Sequence, residues 1–118
     1  MFSSPESFGV RRPLRFMARK LELDDKQVEQ LARILDELKT ERAQAAVDDR
    51  RTLSEFADAI AGENFDAAKA TAGADRRVDS SRKLRDAVIR ALQQTHALLN
   101  PEQRARLAYL MRSGTLII

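Results

Sequence analysis

A leucine, a helix-capping side chain and, three residues after the cap, a glutamine occur twice in this chain: Leu23-Asp24-Asp25-Lys26-Gln27 and Leu99-Asn100-Pro101-Glu102-Gln103. Each reads as a capping box. The Asp24 or Asn100 oxygen accepts from an amide two or three residues on, while Gln27 or Gln103 reaches back to the amide of the cap itself. Pro101 strengthens the second box, because proline suits the first helical position and its missing N–H is not needed there. Two helix starts are thereby fixed, one near each end, and nearly everything between them must be helical.

The composition agrees with that restriction. Four glycines and three prolines in 118 residues are too few for a turn-rich sheet protein, and 43% hydrophobic with 33% charged residues fits one soluble domain. The expected class is all-α: a long antiparallel helical hairpin with short N- and C-terminal helices. With no cysteine, disulfides and thiolate metal sites are excluded. No 18-residue apolar run is present, so no transmembrane segment is expected. Residues 1–10 read as a flexible lead without the basic start and apolar core of a signal peptide. The expectation is a cytoplasmic protein if Met1 is the native start, or one from which an export segment has been removed.

Residues 11–118 are expected to form a single helical domain, with helices at about 12–21, 24–61, 65–98 and 101–112. Pro13 is assigned to the start of the first. Val28, Leu31, Leu35 and Leu38 recur at the three- and four-residue steps of a packed stripe, and Leu53, Phe56 and Ile60 restore it further on. Gly62 is expected to close the second helix in a left-handed conformation and Asn64 to cap the third. So tight a connection makes these helices antiparallel. Gly73 sits in the weak stretch Thr71-Ala72-Gly73-Ala74, at a cost of roughly 1 kcal/mol relative to alanine, and suggests a bend. Gly114 should stop the last helix. Glu29–Arg33, Asp86–Arg90 and Glu102–Arg106 are acid-first pairs four residues apart, the favourable orientation on a helix. Helices of such length leave apolar flanks that a homodimer would cover.

With their leucines, the two boxes resemble the Leu-Thr-x-x-Gln motifs of the Spy/CpxP family and its heavy-metal-resistance sensor branch, with Asp24 and Asn100 in place of the threonines. Phe56-Ala57-Asp58-Ala59-Ile60 and Asn64-Phe65-Asp66 resemble the hairpin tip of that branch, and the likeness extends from about Phe16 to Met111. Leu23, Asp24, Gln27, Leu99, Asn100 and Gln103 carry it. The resemblance implies a cradle-like homodimer in the periplasm or envelope that works without ATP, either holding partly unfolded clients or serving the stress and metal response. Arg42, Arg50, Arg51, Arg76, Arg77, Arg82 and Arg85 are the candidate client-binding residues. Arginine stems cover apolar surface while the charged heads stay wet, which suits varied partners.

Two alternatives stand beside that expectation. The first is a metal-binding sensor, for which His96 and Met111 are the candidate donors to a divalent transition metal. The sensor branch usually supplies a His-x-x-x-His pair, which this chain lacks, so no cofactor is expected. The second is a basic helical nucleic-acid-binding protein, suggested by a pI near 9.7 and by Arg11, Arg12, Arg15, Arg19 and Lys20, a cluster that suits phosphate or anionic lipid. It lacks a helix-turn-helix pattern and a set of stacking aromatics, which makes nucleic acid the less favoured partner. Catalysis is not expected, because no phosphate loop, metalloprotease histidine pair or nucleophile–base pair is present.

Overall fold

A computed structural model describes the backbone from Pro5 to Leu116 and side chains from Arg11 onward. Four helices account for nearly all of it: α1 (Pro5–Lys20), α2 (Asp25–Ala61), α3 (Ala67–Leu98) and α4 (Pro101–Arg112). The all-α expectation holds, and no strand occurs among the described residues. No described helix is long and apolar enough to cross a membrane. Helix α1 starts earlier than expected, within the segment read as a lead, so Pro5 takes the first-turn position and Pro13 lies inside the helix. There Pro13 has no N–H to offer the carbonyl one turn back.

The described residues fall into two compact units: one comprises those within Met1–Lys39 and Val88–Ile118, the other Thr40–Ala87. The first holds the apolar core. Met17 of α1 and Leu21 just after it meet Leu31 of α2, Leu99 before α4 and Leu110 within it, all buried. Leu14, Phe16, Leu23, Leu35, Leu98, Leu107 and Leu116 pack around them. The stripe Leu31, Leu35 and Leu38 read from the sequence therefore faces inward, but its expected continuation does not: Leu53 and Ile60 are exposed and Phe56 is half-buried, because small side chains fill the buried positions of the second unit. Leu116 of the apolar tail joins this core, while Ile117 and Ile118 lie outside the described residues. Gly114, at φ 79°, ends the last helix as expected, its N–H donating to Met111 O at 3.2 Å.

The second unit is the antiparallel hairpin expected from the short connection. Asp58 near the end of α2 meets Lys69 near the start of α3, while farther from the turn Thr52 meets Gly73, Glu55 meets Arg76 and Asp49 meets Arg77. Its buried positions are small side chains: Thr52, Ala59, Gly73 and Ala87. Gly73 explains the close approach. A Cβ there would lie 3.1 Å from the Phe56 ring and 3.3 Å from Glu55 Cβ, and its carbonyl accepts from Thr52 Oγ1 at 3.2 Å. α3 runs through this point unbroken, and the glycine there serves interhelical space.

Two assignments at the turn are corrected. Gly62 is not left-handed, since the described residues with positive φ are Glu22 and Gly114. Asp66, and not Asn64, caps α3: its Oδ1 accepts from Lys69 N at 3.0 Å while its own N–H donates to Ala59 O. That bond back to α2 ties the start of α3 to the end of its partner helix, which a cap at Asn64 would not do.

Candidate functional site

Both capping boxes form as read. Gln27 N donates to Asp24 Oδ1 at 2.8 Å and Asp24 N to Gln27 Oε1 at 3.0 Å. Gln103 N donates to Asn100 Oδ1 at 2.8 Å and Asn100 N to Gln103 Oε1 at 3.0 Å. Asp24 and Asn100 thus do the work of a threonine cap. Each glutamine spends its oxygen on its own box, which leaves its NH2 group to reach the other one.

Gln27 Nε2 donates to Leu98 O and to Gln103 Oε1, both at 2.8 Å. Gln103 Nε2 donates to Leu21 O and to Gln27 Oε1, both at 3.2 Å, with a longer contact to Glu22 O at 3.4 Å. Each amide group therefore holds the carbonyl at the end of the helix that precedes the opposite box, where orphan carbonyls must find donors. Gln103 is buried and Leu99 beside it lies in the core, with Leu23 packed at its edge. The boxes are one reciprocal joint closing the first unit.

Glu22 is the residue in this joint that periodicity and motif reading missed. At φ 53° it sits where a glycine is usual. The turn it makes is a Schellman motif, with Leu23 N donating to Ala18 O at 3.0 Å and Glu22 N to Arg19 O at 3.4 Å. Its carboxylate accepts from Arg106 at 2.8 Å, and the same guanidinium donates to Lys20 O. The expected Glu102–Arg106 pair is absent because Arg106 is drawn to these two acceptors. Only two residues separate Leu21, the core position that follows α1, from the cap Asp24, and that spacing was the available signal for a left-handed residue.

The seven candidate arginines all lie in the second unit, but they are not equivalent. Arg77 pairs with Asp49 at 2.9 Å and lies over the Phe56 ring, 5.4 Å from its centroid. Arg76 Nε lies 2.9 Å from Glu55 Oε1, an ionic contact without hydrogen-bond alignment. These two brace the hairpin. Arg85 binds the adjacent Asp86, which displaces the expected Asp86–Arg90 pair, whereas Glu29–Arg33 forms at 2.9 Å. Arg42, Arg50, Arg51 and Arg82 are exposed. On α2, Ala46, Arg50, Leu53, Ala57 and Ile60 succeed one another at alternating four- and three-residue steps, and every one is exposed. Ile60 is 75% accessible and Phe65, at the hairpin turn, 66%. Asp48, on the same unit, accepts from Gln44 and Ser80, both at 3.1 Å. The Gln44 hydrogen bond is the main cause holding its carboxyl below the ordinary value.

On α1, Arg11, Arg15 and Arg19 stand at four-residue steps on one face, where like charges repel by about 0.2–0.5 kcal/mol per pair. Arg15 and Arg19 are exposed and form no ion pair with a described residue.

The profile of the LTXXQ motif family matches residues 10–111. The chain belongs to the LTXXQ motif family. This is the family of the Spy/CpxP and metal-resistance proteins, so the resemblance carried by the two boxes holds at that level. No curated protein and no solved structure matches the chain. Membership gives the joint its reading: in this LTXXQ protein the motif glutamine caps one helix start and grips the other.

The proposed metal donors are not gathered in the same way. His96 is exposed, with its main-chain carbonyl accepting from Arg104 Nε at 3.0 Å, and Met111 is half-buried in α4. Among the described residues no group of three or more His, Cys, Asp or Glu side chains is placed to hold a metal ion. A groove of about 420 Å³ in the first unit, lined by Gln30, Ile34, Gln94 and Leu98 among others, is open to solvent.

Proposed function

We propose that this LTXXQ protein is an ATP-independent chaperone of the Spy/CpxP kind, which holds partly unfolded proteins on the outer face of the hairpin unit. The observation behind this reading is the exposed stripe Ala46, Arg50, Leu53, Ala57 and Ile60, continued at the turn by Phe65. An apolar row at helical spacing is normally turned toward a core. Here its large members stand in water on a unit that also exposes Arg42, Arg50, Arg51 and Arg82, a composition suited to weak contact with varied apolar segments. Nothing in this activity requires a catalytic group, and location in the envelope belongs to the same reading. A homodimer of cradle form accords with the family and would shield part of the stripe.

Light scattering from a chemically denatured client diluted into buffer without ATP tests the reading. The wild-type protein should slow aggregation, and Leu53→Ser with Ile60→Ser should lose most of that effect while keeping helix content. Undiminished protection by the double variant would defeat the assignment of this face. Sizing by multi-angle light scattering at micromolar concentration tests the dimer, and a monomer there removes it.

A further inference from the structure

We infer that α1 is an electrostatic docking face for a bilayer bearing anionic phospholipid headgroups. The helix carries Arg11, Arg12, Arg15, Arg19 and Lys20 against one acidic residue, Glu6. Met17 and Leu21 turn into the core, and this fixes the opposite face outward. On that outward face Arg15 and Arg19 are exposed with no described carboxylate to neutralise them. Glu22, the nearest acidic residue beyond the helix, is already taken by Arg106 at 2.8 Å. Arg19 and Lys20 also complement the negative end of α1, but Arg15 lies in its interior, where that benefit has faded.

A row of guanidinium groups meets phosphate well, each offering two parallel donors to one phosphoryl group. Arg15 and Arg19 stand one turn apart, roughly 6 Å along the helix axis. A bilayer presents phosphates everywhere beneath such a row, whereas a nucleic-acid strand must be followed along its path. Among the described side chains of α1 the one aromatic, Phe16, packs against the core and lies under the Lys20 ammonium at 5.9 Å, so it is not offered for base stacking. The inference is independent of client holding, because it concerns a different helix and a different chemistry.

Vesicle co-sedimentation of the full chain tests it. The wild type should pellet with phosphatidylglycerol vesicles at low salt, be released as salt rises, and ignore phosphatidylcholine vesicles. Each basic residue at such a surface is worth about fivefold in partitioning, so Arg15→Gln with Arg19→Gln should weaken binding roughly twenty-five-fold. Lys26→Gln with Arg90→Gln removes the same charge from exposed positions on α2 and α3 and should weaken it less than about twofold. Arg15→Lys with Arg19→Lys should keep binding, and helix content by circular dichroism checks the fold of each variant. No sedimentation with phosphatidylglycerol, an equal loss in both glutamine pairs, or release of the protein by a short DNA duplex would each overturn the inference.

Discussion

The side-chain amides of Gln27 and Gln103 face each other across the first unit, Gln27 Nε2 donating to Gln103 Oε1 at 2.8 Å and Gln103 Nε2 approaching Gln27 Oε1 at 3.2 Å. Each also satisfies a cap amide and a helix-end carbonyl. Removing either one leaves polar main-chain groups without partners in a partly or wholly buried place. Gln103→Ala should cost about 2–3 kcal/mol and Gln27→Ala, at the more open side, about 1–2 kcal/mol. The double variant should cost less than the two single losses added together, because both remove the same pair. Urea unfolding of the four proteins measures this; simple additivity would mean the two boxes act separately.

Glu22 offers the opposite sign. A left-handed backbone costs a non-glycine residue about 1–2 kcal/mol, part of which glycine gives back through the freedom it adds to the unfolded chain. Glu22→Gly should therefore be neutral or stabilising by up to about 1 kcal/mol, even though the exposed pair with Arg106 is lost. Glu22→Val, whose branched Cβ tolerates this conformation worst, should lower the unfolding midpoint. A glycine variant less stable than valine would contradict the strained turn.

At Gly73 helix propensity and packing oppose one another. Alanine would gain in propensity but set its Cβ against the Phe56 ring and against Glu55 Cβ, which is attached to the α2 backbone and cannot swing away. Gly73→Leu should destabilise the protein by about 1–3 kcal/mol through overpacking. Thermal unfolding followed by circular dichroism reads the change, and a stabilised leucine variant would show that the helices do not meet closely here.

Asp48 should titrate below the ordinary aspartate value of 3.8, because Gln44, with Ser80, favours the charged form. A carboxyl whose folded pKa is lowered contributes its stability above the unfolded value, and that contribution disappears as pH falls through the folded pKa. Carboxyl carbon NMR should place the midpoint under 3.8, and Gln44→Ala should raise it. An unmoved midpoint in that variant would remove Gln44 as the main cause.

The helices and both boxes were readable from the chain because they rest on local physics. A cap and its glutamine lie within one turn of each other, and the stripe of Leu31, Leu35 and Leu38 declares its inward face by spacing alone. Asp24 and Asn100 in place of threonine do not obscure this, since what matters is an oxygen within reach of an amide. Reading failed where a residue's partner is distant in sequence. Arg106 has an acidic neighbour one turn away and chooses Glu22 and Lys20 O instead. Gly62 looks like a helix stop, yet Asp66 organises the turn because its amide finds Ala59 O.

The sequence alone determined the helical class and the two capping boxes, both products of interactions spanning a few residues. Only the tertiary structure decided that the two boxes are one joint, that Gly73 serves contact between helices, that Glu22 takes the left-handed turn, and which arginines brace the hairpin while Arg42, Arg50, Arg51 and Arg82 are exposed. The physical reason is the same in each case. An amide, a guanidinium or a missing Cβ has several possible partners along the chain, and folding selects among them by bringing distant carbonyls, carboxylates and rings within about 3 Å, a distance that spacing in sequence does not encode.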